Sequence, residues 1–403
     1  MEETKMAEEE EKSQTQPETL KRIRFEDRIS SLPDCLLFEI LSRLPSTKHA
    51  ITTTILSRRW QHLWTSLHTL IFTHHKTHNH PQTDFYSYVD KTLSQCHHFK
   101  LNKFTVYTCY DYRFESQVNN WIRYAVNCNV DELNLTLWNV ECEAEFLLDQ
   151  FFFNCCCFTH LKLSGCVFNP IGGVKWSKLN KLWISHANLD EGLIENVLSG
   201  SPVLETLVLD NCYGYRRVNI TSKSVKKLVF SGYMVPDNVS DDDVANVVEI
   251  NAPGVLSLAI HDDLLLSKLL LVDVSSLVEA DLDYTKGGHY DTTTPKEAEE
   301  EMLKRFILNL RHVKELKIGI FCFKVLCRLE AKGFVFPSNL KVHDVTSSPL
   351  YSDDDSMGFS DWSDSDSAES RDWEVLLLDD GTTSDENRNH TSMDQAWKAS
   401  GSR

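Results

Sequence analysis

The chain has 403 residues, 41% of them hydrophobic and 25% charged, with a formal net charge of −18 at pH 7. These values suit a globular protein of two or three domains, or one repeat array with appendages. No run of about 18 apolar residues offers a membrane span, and the acidic, polar N-terminus excludes a secretory signal peptide, which points to the cytoplasm or nucleus.

The charge is unevenly spread. Residues 1–30 hold nine acids and six bases, residues 351–403 hold fourteen acids and four bases, and the body between them is close to balance. General nucleic-acid binding wants a basic face, so neither nucleic acid nor membrane is an expected partner. The twelve cysteines are read as buried free thiols. The compartment disfavours disulfides, and consecutive Cys155, Cys156 and Cys157 do not have the spacing of a zinc site.

Residues 1–26 are Glu-, Lys- and Gln-rich and read as a disordered leader. Lys21-Arg22-Ile23-Arg24 is a short basic patch of the kind that can serve as a nuclear address.

Three amphipathic pieces follow between Asp27 and Leu67. The first spans Asp34 to Leu44, where Leu36, Leu37, Ile40, Leu41 and Leu44 share one helical face. Ser31, Pro33 and Asp34 suit the exposed N–H groups at its start, and Pro45 stops it. The second opens at Ser46 or Thr47 and carries Ala50, Ile51, Ile55 and Leu56. Ser57 reads as the cap of a third helix, striped by Trp60, Leu63, Trp64 and Leu67. A unit this small cannot hide two tryptophans and so many aliphatics within itself, so part of that surface is expected to face a partner.

Leu-Pro-Asp-x-Leu-Leu (Leu32 to Leu37), Ile-Leu-Ser-x-Leu-Pro (Ile40 to Pro45) and Leu-Ser-Arg-Arg-Trp-x-x-Leu-Trp (Leu56 to Trp64) resemble the F-box of plant F-box proteins. Cys35 stands where an acidic residue is more usual in that family. The resemblance implies docking to a Skp-type adaptor, and through it to a cullin–RING ubiquitin ligase. Leu32, Pro33, Leu36, Leu37, Ile40, Leu41, Pro45, Leu56, Trp60 and Trp64 would form or support the adaptor-binding patch.

Thr73 to Pro81 (THHKTHNHP) reads as a polar linker. Its histidines His74, His75, His78 and His80 have no interleaved Cys or acid to complete a metal site. Beyond it, Phe85, Tyr88, Val89 and Leu93 mark a helix, Phe104 to Tyr107 a strand, and Val118, Trp121, Ile122, Ala125 and Val126 another helix. A short strand signal then recurs as ELNL (from Glu132), HLKL (His160), KLWI (Lys181), TLVL (Thr206), KLVF (Lys227), SLAI (Ser257) and ELKI (Glu315). EADL (Glu279) is a degenerate copy. Leu133, Leu161, Leu182, Leu207 and Leu228 are separated by 28, 21, 25 and 21 residues, the range of a leucine-rich repeat. Cys166 and Cys212 extend two copies to L-x-L-x-x-C, where a small thiol fits a buried turn. Helices are expected over Glu143 to Phe153 and Leu189 to Leu198, the latter stopped by Ser199 to Pro202.

One strand-plus-helix unit cannot bury its own apolar face, whereas a stack of seven or eight gives a curved solenoid lined by a parallel sheet. The L-x-L alternation turns leucines inward and sets Asn134, Lys162, Trp183, Val208, Val229, Ala259 and Lys317 on the concave side. Trp183, Lys162, Val208 and Lys317 are the substrate-binding candidates among them. Trp183 is either an exposed anchor or packed sideways against Val208.

F-box and irregular repeats together resemble the plant F-box/leucine-rich-repeat family, notably in SGSPVLETLVLDNC (Ser199 to Cys212) and INAPGVLSLAI (Ile250 to Ile260). Many members carry a further C-terminal FBD domain, and no such stretch is recognisable here. Phe336 to Val345 reads as a last strand. The expected architecture is therefore an α/β repeat with disordered termini: leader 1–26, F-box 27–72, linker and first irregular repeats 73–129, solenoid 130–345, acidic tail 346–403. In the tail, Ser352, Ser363 and Thr382 each precede an acid by three residues, which suits an acid-directed kinase, and Trp373 to Asp380 is an apolar island.

No phosphate loop, nucleophile elbow, H-E-x-x-H or dinucleotide fingerprint occurs. Gly172-Gly173 and Gly287-Gly288 are isolated turn pairs, and Asp241 to Asp243 cannot converge on one ion. No enzyme activity or cofactor is expected. The resemblance implies the substrate-recognition subunit of a ubiquitin ligase acting on an unidentified protein. A non-ligase interaction scaffold and a small-molecule receptor in the solenoid remain open alternatives.

Overall fold

The structure, a computed structural model, describes residues 28–74, 82–96, 100–138, 145–233, 247–286, 296–337 and 341–344. The leader with Lys21 to Arg24, three of the four histidines (His75, His78, His80), Asp241 to Asp243, Gly287-Gly288 and the tail from 346 lie outside those residues.

The chain enters through helices α1 (Asp34–Ser42) and α2 (Thr47–Thr52), and α2 runs on into a 3-10 turn at Thr53–Ile55. The expected third α-helix is not formed. Ser57 to Leu67 instead winds through successive i→i+3 turns, Trp60 N–H to Ser57 O, Leu63 to Trp60 and Leu67 to Trp64, with a 3-10 helix at Leu63–Ser66. Such turns bring side chains three apart into line, as for Trp64 and Leu67, and both are buried with Trp60 in the core. Ser57 caps nothing; its Oγ bonds Ser30 Oγ at 3.0 Å.

From there the chain passes directly into a strand, β1 (Thr69–Thr73). The Thr47 hydroxyl accepts the Ile71 N–H at 2.8 Å and ties α2 to this strand. The remaining elements are α3 (Gln82–Gln95), β2 (Lys103–Cys109), α4 (Glu115–Asn127), β3 (Glu132–Trp138), β4 (Phe146–Leu147), α5 (Gln150–Phe153), β5 (His160–Ser164), β6 (Cys166–Val167), β7 (Lys181–Ser185), α6 (Glu191–Gly200), β8 (Thr206–Asp210), β9 (Arg217–Asn219), β10 (Lys227–Tyr233), β11 (Val247–Asn251), β12 (Ser257–Leu264), β13 (Lys268–Asp273), β14 (Glu279–Thr285), α7 (Lys296–Asn309), β15 (Glu315–Ile318), α8 (Ile320–Ala331) and β16 (Lys341–Asp344). His74 belongs to the fold rather than to a linker: its N–H donates to Tyr107 O at 2.8 Å and its ring stacks on Phe85.

Eleven strands make one parallel sheet in the order β1-β2-β3-β5-β7-β8-β10-β12-β14-β15-β16. The register keeps equivalent repeat positions side by side, Leu133 beside Leu161, Leu182, Leu207, Leu228, Leu258, Ala280 and Leu316 in turn. The second apolar residue of each motif, Leu135 through Ile318, forms a parallel column, and both columns are buried. The degenerate EADL and the strand after Phe336 take their places in this ladder as β14 and β16.

The connections depart from the helix-in-every-gap expectation. The Glu143–Phe153 helix is a single turn, α5; Phe146-Leu147 is a short strand paired with Cys166-Val167. Three later gaps hold β9, β11 and β13, a second parallel sheet in the order β13-β11-β9. Val248-x-Ile250 and Leu269-x-Leu271 alternate with period two, the strand pattern. Expected helix Leu189–Leu198 is α6, shifted by two residues and capped by the Asp190 carboxylate accepting Leu193 N–H at 2.7 Å.

A second repeat signature accompanies L-x-L. The sixth residue from the start of five consecutive sheet strands is left-handed: Gly165 (φ 69°), His186 (50°), Asn211 (49°), Gly232 (68°) and Asp262 (61°). Gly, Asn, Asp and His are the residues that tolerate this region. At Gly165 no alternative fits, because a Cβ would lie 1.9 Å from the Leu137 carbonyl oxygen. Cys166 and Cys212 follow two of these bends, both buried, and burial pushes the Cys212 thiol up to about 12.

Candidate functional site

In the N-terminal unit, α1 has two apolar faces where the sequence suggested one. Leu37 and Leu41 point into the core, while Leu36 and Ile40, one turn apart, are 48% and 41% exposed. Ile55 and Leu56, just past α2, are 73% and 56% exposed, and Ile29 is 57%. Pro33 and Pro45 are exposed and Leu32 is half-buried against the core.

The Leu-Pro-Asp and Arg-Arg-Trp segments, far apart in sequence, hold one another. The Arg59 guanidinium forks onto the Asp34 carboxylate and also donates to Ser30 O. Trp60 Nε1 donates to Ser30 Oγ at 2.8 Å, which satisfies the one polar atom of a buried indole. With Ser30 against Ser57, the neighbouring Ile29 and Leu56 are drawn to the same side as the start of α1. Ile29, Leu36, Ile40, Ile55 and Leu56, with Pro33 and Pro45, are exposed residues of this unit, above a buried base that includes Trp60 and Trp64. A protein surface does not hold so many large aliphatics together without a partner.

The ten expected adaptor residues thus divide. Pro33, Leu36, Ile40, Pro45 and Leu56 reach the surface, Leu32 lies between, and Leu37, Leu41, Trp60 and Trp64 are core. The indoles support the face from beneath and offer it no contact area. Ile29 lies outside the quoted motifs, and Ile55, expected among the apolar residues of the second helix, is exposed instead of buried.

The sheet's concave columns divide as well. Trp183, Val208, Val229 and Ala259 stand side by side on β7, β8, β10 and β12 and form an apolar cluster separate from the main core. All are buried, Trp183 being only 8% exposed. Of the two readings of Trp183, sideways packing is the one observed. Its Nε1 donates to Ser185 Oγ at 2.8 Å, and Lys162 Nζ sits 4.1 Å from the ring centroid as a cation–π contact. Val208 is likewise unavailable for contact, and Lys317 is committed to Glu279 at 2.6 Å.

Beside this cluster the concave side turns acidic. Burial raises the Asp210 carboxyl above its usual range, against the pull of His186, and Asp262 raises it further. Burial also raises Asp283, while the Phe321 N–H and His261 work in the opposite sense. Ser231 Oγ donates to Asp262, and His261 Nε2 lies 3.4 Å from Asp281 Oδ1. Among the described residues no group of three or more His, Cys, Asp or Glu side chains has metal-binding geometry, and no helix is long and apolar enough to cross a membrane.

Comparison with known proteins agrees with this division. Residues 29–72 match the F-box domain, and residues 118–277 match the leucine-rich repeats of FBD-associated F-box protein At5g56370. A putative F-box/LRR-repeat protein of Arabidopsis thaliana, At3g18150, is 32% identical over 331 residues, which cover 79% of this chain and 65% of the relative. F-box/LRR-repeat protein At3g03360 of the same plant is 28% identical, with 77% of this chain and 63% of the relative covered. The chain thus spans slightly under two thirds of the length of these relatives. Against F-box/LRR-repeat protein 25, also from Arabidopsis thaliana, identity is 31% over 50% of this chain and 74% of the relative. An F-box match, repeat match and shared lengths of this extent, together with the repeat sheet itself, make the chain a member of the plant F-box/leucine-rich-repeat protein family.

Proposed function

We propose that the chain is the substrate-recognition subunit of a Skp–cullin–F-box ubiquitin ligase. The observation that carries this reading is the open apolar face of Leu36, Ile40, Ile55 and Leu56 within the segment that matches the F-box. A Skp-type adaptor would cover that face, and the repeat sheet would hold the target protein. The chain would catalyse nothing. It would raise the local concentration of the target beside the transferred ubiquitin.

The test is co-purification of the full chain with a plant Skp-type adaptor. Leu36→Lys with Ile40→Lys places two cations in the middle of the apolar face and should weaken adaptor binding on the order of 100-fold, as loss of central interface anchors does. Both residues are exposed, so the variant should melt with the wild type. Undiminished adaptor binding by the folded double variant overturns the proposal.

A further inference from the structure

The turn between α5 and β5 reads Phe152-Phe153-Asn154-Cys155-Cys156-Cys157-Phe158. Its aromatic residues anchor it: Phe152 meets Phe158 and Trp176 at 5.1 and 5.9 Å between ring centroids, and Phe153 stacks on Trp176. Trp176 Nε1 also donates to Phe152 O at 3.1 Å. On this fixed base Cys155 and Cys157 turn towards each other while Cys156, between them, points outward and is exposed. The sulfurs of Cys155 and Cys157 are 3.0 Å apart.

We propose that Cys155 and Cys157 form a peroxide-responsive dithiol, a reversible oxidation site in the turn that leads into β5. Bridging requires two sulfurs to approach to about 2 Å, and this pair already faces at 3.0 Å. Other thiols among the described residues are placed differently. Cys96, Cys166, Cys212 and Cys322 are buried, and burial raises each of them. Cys35 and Cys327 are exposed. Within the pair, the contact between the sulfurs lowers Cys155, while the same contact and burial raise Cys157. Cys155 is thus the more acidic of the two thiols. The half-buried Cys157 gives a molecule little larger than water a way to the pair.

The chemistry closes without a cofactor. The Cys155 thiolate attacks one oxygen of hydrogen peroxide and breaks the O–O bond, giving a sulfenic acid and hydroxide, which takes up the proton Cys155 had released. Cys157 sulfur then attacks the sulfenic sulfur and expels its hydroxide, which leaves as water with the Cys157 proton. Two thiols and one peroxide become one disulfide and two waters. In a reducing compartment the bond is transient, because thiol exchange returns the dithiol.

The test uses the full chain, reduced, desalted and treated with one equivalent of hydrogen peroxide near neutral pH, then alkylated and mapped by mass spectrometry. The expected product is a peptide that has lost two hydrogen atoms, with alkylation at Cys156 alone, restored to three alkylations by dithiothreitol. Its formation should be several-fold faster than oxidation of Cys327, since the contact with Cys157 favours the Cys155 thiolate. Cys157→Ser should trap the sulfenic acid on Cys155 as a dimedone adduct, and Cys156→Ser should leave the disulfide yield unchanged. Circular dichroism checks that each variant is folded. Alkylation of both Cys155 and Cys157 after peroxide, or a bond that uses Cys156, overturns the proposal.

Discussion

The N-terminal helical unit and the concave stripe of the repeat sheet make an instructive pair. Each presents a row of large apolar residues with a tryptophan that sequence reasoning would nominate as an anchor. In the helical unit the aliphatics Leu36, Ile40, Ile55 and Leu56 stay open and both indoles are enclosed. In the sheet the whole row from Trp183 to Ala259 is enclosed. Periodicity says which residues share a face, whereas exposure depends on what that face meets. An aromatic's prominence in a motif is therefore no measure of its contact with a partner: Trp60 and Trp64 act as foundations.

The contrast can be broken by substitution. Trp60→Ala should have the largest effect, a loss of about 3–5 kcal/mol of stability from the cavity left by a buried indole. A thermal scan and limited proteolysis would show the N-terminal unit melting first, with adaptor binding lost as a consequence. Trp183→Ala should cost less, about 2 kcal/mol, because its cluster is a satellite of the main core and one edge remains wet. It should leave adaptor binding intact. A Trp183→Ala variant with unchanged melting would mean that the row is not a packed cluster. The exposed pair Leu36→Lys and Ile40→Lys should lose binding as Trp60→Ala does, but with melting unchanged.

The smallest effect sharpens the other side of the comparison. The Asp210 carboxyl beside Trp183 is raised by burial, so the folded state binds its proton more tightly than the unfolded state. Stability from this group is therefore fully present below the ordinary aspartate range and falls as pH rises through the raised value. Asp210→Asn removes that dependence. Compared with wild type, the variant should gain melting temperature at neutral pH and lose the gain as the pH falls towards the ordinary aspartate range. An equal difference at both pH values would contradict a buried, proton-retaining Asp210.

Much of the molecule was legible beforehand, for identifiable reasons. The strand ladder was readable because L-x-L recurs, and each strand contributes two inward leucines whose alternation follows from the pleat. Helix α6 was readable, to within two residues, because Leu193, Ile194, Val197 and Leu198 share one face and Ser199 to Pro202 stop it; the Asp190 cap that fixes its start was not. Strands β9, β11 and β13 were not, since three to six residues of alternating character are too short to stand out from a turn. The left-handed column through Gly165, His186, Asn211, Gly232 and Asp262 was in the sequence as Ser-Gly, Ser-His, Asp-Asn, Ser-Gly and His-Asp. It hid because four residue types share one backbone role.

Sequence alone determined the parts that rest on local patterns: the F-box segment, the repeat period, the inward leucines and the buried free thiols Cys166 and Cys212. Local rules govern these, since pleat and helix pitch assign each side chain a face whatever lies beyond it. Tertiary structure decided which of those faces stay open. It enclosed Trp183, turned the last F-box segment into tight turns around two indoles, and set the sulfurs of Cys155 and Cys157 at 3.0 Å. Exposure depends on segments far apart in the chain arriving at one place, and even for Cys155 and Cys157, two residues apart, the turn that sets the sulfurs is held by Phe158 and Trp176 packed against Phe152.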